Sequence, residues 1–269
     1  MSPNLTNKER LLNTFEKKKI DKIVFSPRLY YWYGGNKLYT KKTSNDQLSS
    51  NIPERFLNKT QLEIYDLLQA SPRYSEETLN LPLIKTKINS KAGINLITQK
   101  GAKEGETITK YKTPLGNLTE KMAIGAGFGI HYTEFPIKTV EDMKIMRYIF
   151  ENTEFVFLDR NYKKAEAILG DRGVVSTYLY SSPYQRLVKE LMGFVNTVLL
   201  LKRKPNEMEN FMLFLERWDD KMYDIIAKSP LEIINFGENI DANLSPPPQF
   251  EKYLMPYYER RVKQLHQAG

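Results

Sequence analysis

Short apolar runs that give way abruptly to polar residues are where this chain can place chemistry. In Glu232–Asp241, Ile233, Ile234 and Phe236 have the length and β-branched content of a buried strand. Gly237 then frees the backbone, and Glu238, Asn239 and Asp241 follow at once. A carboxyl beside a carboxamide at a strand tip can orient or protonate a leaving group. The same two residues can also simply cap and solvate a loop. A second tip, Ser181-Ser182-Pro183-Tyr184-Gln185, follows the apolar run Val174–Tyr178. Arg28 stands just past a third run, Ile23-Val24-Phe25, and ahead of Tyr30, Tyr31, Trp32, Tyr33 and the paired glycines Gly34 and Gly35. An arginine so placed suits an anion-holding strand tip; alternatively it is a surface arginine stacked on tyrosine, with the aromatic cluster packed in the core.

Two further groups carry weaker signals. His131 lies three residues before Glu134 and could form an acid–base pair with it, or be an ordinary loop histidine. The only other histidine, His266, is far away in sequence, and there is no cysteine, so no metal site is expected within these residues. Gly125-Ala-Gly-Phe-Gly129 does not have the G-x-G-x-x-G spacing and runs into Ile130-His131-Tyr132 rather than a helix, so a flexible connection is expected there.

The elements that must position these residues follow from periodicity. Thr6 with Glu9 makes a capping box for a helix over 6–18, with Leu11, Leu12 and Phe15 inward. Ile23–Phe25 reads as a short strand, 41–58 as a polar loop, and Gln61–Ala70 as a helix. From about 83 to 122 the period changes to two, which predicts an inserted antiparallel hairpin layer with Thr113-Pro-Leu-Gly116 as a turn. Thr139 with Asp142 caps a helix over 140–152, and a second helix over 160–169 closes at Gly170. A strand over 174–178, a helix over 186–192 continued by Phe194–Leu201, a long helix from Pro205 to Lys228 and the strand at Ile233 follow. Leu244-Ser-Pro-Pro-Pro248 takes the chain out of the sheet, and Phe250–Gln267 is a helix with Tyr253, Leu254, Tyr257, Tyr258, Val262 and Leu265 on its apolar face. Strand, polar tip, loop and helix form the βα unit of an α/β barrel.

Composition bounds the rest. The chain has 269 residues, 41 % of them hydrophobic, with 17 Tyr and 13 Phe to fill one large core. The absence of cysteine excludes disulfides, a cysteine nucleophile and thiolate metal ligation within it. A net charge of +8 invites a nucleic-acid reading, but basic and acidic residues are interspersed, and Lys17-Lys18-Lys19 sits at a helix end. A lysine-rich surface or an anionic small-molecule substrate accounts for the charge, and no nucleic-acid partner is expected. The longest apolar run, Met192–Leu201, is interrupted by Asn196 and too short to span a bilayer, and the first residues lack an apolar signal region. A cytoplasmic protein with no membrane partner is expected, and a homodimer is compatible with all of this.

Several phrases, in order, resemble the uroporphyrinogen decarboxylase superfamily, which also holds cobalamin-dependent methyltransferases. They are Asn7–Leu12 with Asp21–Ile23, Tyr111–Gly116, Phe135–Asp142, Ser182–Gln185, Gly237–Asn239, and Phe250–Tyr253 with Pro256-Tyr257 and Leu265–Gly269. The resemblance covers essentially the whole chain and implies a single domain: a (β/α)8 TIM barrel with the hairpin layer as an insertion. Because the chain stops on a helix where the next strand would start, the last strands are expected to lie outside it. In the family's decarboxylases an arginine-rich motif grips carboxylates, and Arg28 alone stands in its place; Ser182-Pro183-Tyr184 and Glu238-Asn239 look like the family's later strand tips. The methyltransferases bind zinc through ligands in the last strands, so zinc is implied only if a longer chain supplies them.

The resemblance thus implies a methyltransferase moving a methyl group between a small, anionic substrate and a corrinoid on a partner protein. Arg28 and Tyr31 would hold the anion, Tyr178, Ser182, Tyr184 and Gln185 would line the pocket, and Glu238 with Asn239 would act on the leaving group. The alternatives are a cofactor-free, uroporphyrinogen decarboxylase-like enzyme of porphyrin biosynthesis and a non-catalytic partial barrel serving as a binding subunit.

Overall fold

The computed structural model describes residues 4–42, 52–125 and 129–268. The capping boxes form as the sequence dictates. The Glu9 amide donates to Thr6 Oγ1 at 3.1 Å and the Thr6 amide to Glu9 Oε2 at 2.8 Å, opening α1 (Asn7–Phe15). α2 (Tyr30–Lys42), α3 (Gln61–Leu67) and the short α4 (Ser75–Leu79) follow, α3 having its own box between Thr60 and Glu63. Then come β1 (Ile84–Ile88), β2 (Asn95–Lys100), β3 (Thr107–Thr113), β4 (Gly116–Ile124) and β5 (Ile130–Glu134). α5 (Val140–Glu151), β6 (Thr153–Phe157), α6 (Asp159–Leu169) and β7 (Ser176–Leu179) lead to α7 (Pro183–Arg186), which widens into a π turn over Leu187–Leu191. The chain ends in α8 (Phe194–Arg203), α9 (Pro205–Ile226), β8 (Ile233–Phe236), α10 (Pro247–Gln249), a π turn at Phe250–Leu254 and α11 (Met255–Ala268).

The architecture is mixed α/β. The described strands make three separate sheets: antiparallel β1–β6, antiparallel β2–β3–β4–β5, and parallel β7–β8. None of them closes into a barrel among the described residues. The hairpin layer forms with the turn at Thr113–Gly116, where Thr113 Oγ1 donates to the Gly116 carbonyl at 2.8 Å. Its limits differ from the expected 83–122. β1 leaves it to pair with β6, and β5 joins it through the register Ala123↔His131.

Other expectations change for similar reasons. Ile23–Phe25 is not a strand: Ile23 is 90 % exposed, and only the Phe25 carbonyl is engaged, by the Ser71 amide at 2.9 Å. A β-branched run without a neighbouring strand has nothing to pair with. The aromatic cluster after Arg28 forms the first turns of α2 rather than a loop, despite Gly34 and Gly35, with Trp32 edge-on to Phe56 and the Tyr33 hydroxyl donating to the Lys59 carbonyl at 3.0 Å. Within the loop predicted over 41–58, residues 54–56 form a helical turn that buries Phe56, and 43–51 lie outside the described residues. Phe194–Leu201 does not continue the preceding helix. Gly193 sits at φ +78°, where a Cβ would meet the Phe135 ring at 2.6 Å, so the chain breaks and restarts. Val262 on α11 stays 37 % exposed, while Tyr257 on α11 and Leu254 on the π turn before it are buried.

The core collects on α9, whose stripe Met208, Phe211, Met212, Leu215, Trp218, Met222 and Ile226 follows the helical period. Trp218 packs between Phe150 and Phe155, with ring centroids at 4.5 and 4.4 Å. Inside this apolar layer lies an ion pair. Arg186, 1 % exposed, donates from Nη2 to both carboxylate oxygens of Asp219 at 2.7 and 2.8 Å, and to the Ser181 carbonyl at 2.8 Å. The Tyr257 hydroxyl donates to the same carboxylate at 3.0 Å. No helix among the described residues is long and apolar enough to cross a membrane.

Removing one partner strands the other charge away from water. Asp219→Ala should therefore lower unfolding stability by about 3–5 kcal/mol, read as a fall in the urea midpoint, while the paired apolar replacement Arg186→Met with Asp219→Leu should recover most of it.

Candidate functional site

The carboxyl ends of β7 and β8 open into a cleft of about 580 Å³. The parallel register, Ser176↔Ile233 to Leu179↔Phe236, brings the two polar tips side by side. Ser181 Oγ donates to the Gly237 carbonyl at 2.8 Å, and the Ser182 amide donates to Glu238 Oε1 at 2.5 Å. Phe236, Leu179 and Met222 supply the apolar part of the wall.

The far edge of β7 has no strand beside it among the described residues. The Ser75 hydroxyl takes that place, accepting from the Ser176 amide at 2.8 Å and donating to the Ser176 carbonyl at 2.9 Å. This contact draws the start of α4 against the cleft. Tyr74 lies over Tyr178 with ring centroids 4.3 Å apart, and Glu76 accepts a short hydrogen bond from the Thr177 hydroxyl. Arg28 enters from the segment before α2, which is clamped to the same linker: Ser26 Oγ donates to the Ser71 carbonyl at 3.0 Å and the Tyr65 hydroxyl to the Pro27 carbonyl at 2.7 Å. Its guanidinium sits 4.4 Å from the Tyr31 ring centroid, 4.9 Å from Tyr74 and 5.4 Å from Tyr178. Glu77 takes Nε at 3.0 Å and Nη2 by a second, short contact, so the guanidinium fork is filled from within.

Of the residues singled out in sequence, Arg28, Tyr31, Tyr178, Glu238 and Asn239 come together around this cleft. Ser182 lies just behind it and contributes its amide to Glu238. Tyr184 and Gln185 do not line it. The Tyr184 hydroxyl donates to the Leu244 carbonyl at 3.1 Å, and Gln185 bonds the Ser245 hydroxyl, so both tie the tip of β7 to the loop after β8. His131 and Glu134 do not pair. Glu134 is held by Lys121 at 2.9 Å and Lys138 at 2.8 Å, while His131 is exposed on β5. Of the glycine run at 125–129, residues 126–128 lie outside the described residues.

No protein-family model and no curated protein matches this chain. The functional reading therefore rests on the cleft itself.

Three features of it were missed in sequence. Lys189 and Glu190, consecutive on the π turn, both line the cleft, as does Glu76. A polar pair inside the apolar stretch Leu187–Met192 was the available signal; a regular helix reading conceals it, because the π turn sets which residues face the cleft. Burial pushes the Glu238 carboxyl above the ordinary glutamate range, opposed only in part by the Ser182 amide and by Lys189. Glu238 Oε2 and the Ser182 and Tyr258 hydroxyls are buried without a hydrogen-bond partner among the described residues. Glu76 is likewise pushed up by burial, against the Thr177 hydroxyl. The cleft thus offers carboxyls pushed up by burial, aromatic walls and two cations. No three His, Cys, Asp or Glu side chains come together as metal ligands among the described residues.

A carboxyl whose folded-state pKa is raised stabilises the fold below its unfolded pKa and loses that contribution as pH rises through the folded value. Glu238→Gln removes the titration. The variant should gain stability relative to the native protein as pH rises from 4 to 8, measured from urea midpoints across that range.

Proposed function

We propose that the chain is an enzyme of the uroporphyrinogen decarboxylase superfamily type that moves a methyl group from a small anionic substrate to a corrinoid on a partner protein. The observation that carries the reading is Glu238: a carboxyl held toward its neutral form by burial, at the carboxyl end of a parallel strand and inside a cleft with cationic and aromatic walls. Chemistry at the carboxyl ends of parallel strands is the arrangement of (β/α)8 barrels, and the β7–β8 unit supports a partial barrel of that kind.

In this reading the substrate lies in the cleft against Tyr31, Tyr178 and Phe236. Glu238 gives its proton to the group from which methyl departs, and the Ser182 amide then stabilises the carboxylate left behind. Asn239, exposed at the mouth, orients the departing atom. The corrinoid supplies the methyl acceptor and is held by its own protein. Zinc does not fit the described residues, because no donor cluster is present among them, and no step is assigned to it.

One observation favours a second reading. Lys189 donates to the Gly237 carbonyl at 2.6 Å, which puts a cation one residue from the acid. A cation to hold a carboxylate and an acid to protonate the carbon it leaves are the needs of a cofactor-free decarboxylase.

Cob(I)alamin offered with a panel of methylated small acids should form methylcobalamin, followed by absorbance, and Glu238→Gln should slow the reaction about 10²–10⁴-fold. Carbon dioxide release from pyrrole carboxylic acids, with no methylcobalamin formed, would decide for the second reading. Full turnover in Glu238→Gln would remove the acid from either.

A further inference from the structure

The two cations of the cleft are not equivalent. Arg28 is matched by Glu77 and shielded by three tyrosine rings. Lys189 has no carboxylate within ion-pair distance among the described residues. Its ammonium donates to two neutral acceptors, Ser181 Oγ at 2.8 Å and the Gly237 carbonyl at 2.6 Å. An ammonium has three hydrogens, so one is left unbonded in a side chain that lines the cavity. Glu238, across the cleft, forms no ion pair with it among the described residues, and burial pushes that carboxyl up.

The anchoring also fixes where that hydrogen can point. Ser181 follows β7 and Gly237 follows β8, and Ser181 itself donates to Gly237 at 2.8 Å, so Lys189 is pinned at the junction of the two strand ends. A long lysine side chain ordinarily loses much rotamer freedom on binding an anion. Here that ordering is already done. Glu190, which also lines the cleft and faces the Ser181 hydroxyl at 3.4 Å, adds a negative charge beside the anchor and disfavours a doubly charged ligand. Leu179, Met222 and Phe236 are among the apolar residues of the same lining.

We propose that Lys189, rather than Arg28, is the anion anchor of the cleft, and that its ligand is a small monocarboxylic acid whose apolar body lies on Leu179, Met222 and Phe236. The proposal rests on the reading of this cleft as the substrate site and names its substrate class. Arg28 then belongs to the aromatic wall, a positioning element for Tyr31, Tyr74 and Tyr178.

Benzoate, its neutral isostere benzamide and the dianion phenyl phosphate separate charge from shape. Titration calorimetry on the native chain should show benzoate binding at least about tenfold tighter than benzamide, the worth of a charge-assisted hydrogen bond, and tighter than phenyl phosphate. In Lys189→Met the benzoate-to-benzamide ratio should collapse toward one, whereas Lys189→Arg should keep it and Arg28→Met should leave it unchanged. Equal affinities for benzoate and benzamide in the native protein overturn the proposal without recourse to any variant. So does a ratio preserved in Lys189→Met, which would reduce Lys189 to a structural tie, or one lost in Arg28→Met. A collapsed ratio in Lys189→Met alongside full turnover in Glu238→Gln would leave the anchor standing and reject the reaction. An unchanged ratio with Glu238-dependent turnover would do the reverse.

Discussion

A guanidinium without access to water must satisfy its charge and its donors inside the protein, and much of this structure is arranged around that demand at Arg186. Asp219 supplies the counter-charge from α9, the Ser181 carbonyl supplies a second acceptor from the end of β7, and Tyr257 from α11 completes the carboxylate. The remaining nitrogens, Nε and Nη1, have no hydrogen-bond partner among the described residues, and the guanidinium lies 5.1 Å from the Tyr180 ring centroid and 5.6 Å from that of Trp218. Buried pairs of this kind add little net stability over apolar packing, but they tolerate only one geometry. The strand tip, the longest helix and the last helix are fixed with respect to one another by that single group.

The cleft inherits its shape from this constraint. With the Ser181 carbonyl committed to Arg186, the Ser181 hydroxyl is directed to the Gly237 carbonyl and receives Lys189. The next amide, that of Ser182, is left to meet Glu238. A four-residue strand pair would be marginal alone, and its unpaired edge would ordinarily be a liability. Ser75 covers that edge with one hydroxyl acting in both senses, and in doing so carries Tyr74 and Glu76 to the cavity. Support of the sheet and construction of the site are the same contacts.

Electrostatically the cleft sorts its charges by burial. Glu77 forms an ion pair with Arg28, and both side chains are partly exposed. Burial pushes the Glu238 and Glu76 carboxyls above the ordinary range, against the few donors that reach them. The Lys189 ammonium donates to two neutral acceptors, with Glu190 on the same Ser181 hydroxyl. An acid pushed up by burial next to a cation held by neutral acceptors is costly for folding and useful for acid–base work, which is how functional sites commonly differ from the core around them.

What the sequence alone determined was local. The helices opened by Thr6 and Thr139, the long α9 after Pro205, the stop of α6 at Gly170 and the turn at Thr113–Gly116 all depend on residues a few positions apart, so their signals lie within one window of the chain. The polar tips at Glu238 and Ser182 were legible for the same reason, as abrupt changes after apolar runs. Strand partners were not. Ile23–Phe25 carries a strand's composition and has no neighbour, whereas Thr153–Phe157, next to a helix, pairs with Ile84–Ile88 across the intervening hairpin layer. The roles inside the site were equally hidden. Arg28 meets Glu77 from 49 residues away, and Lys189 reaches Gly237 from 48. Whether an arginine is free to bind an anion, or a lysine lacks a counter-ion, is decided by which distant groups the packed chain brings within a few ångströms, and only the tertiary structure sets those distances.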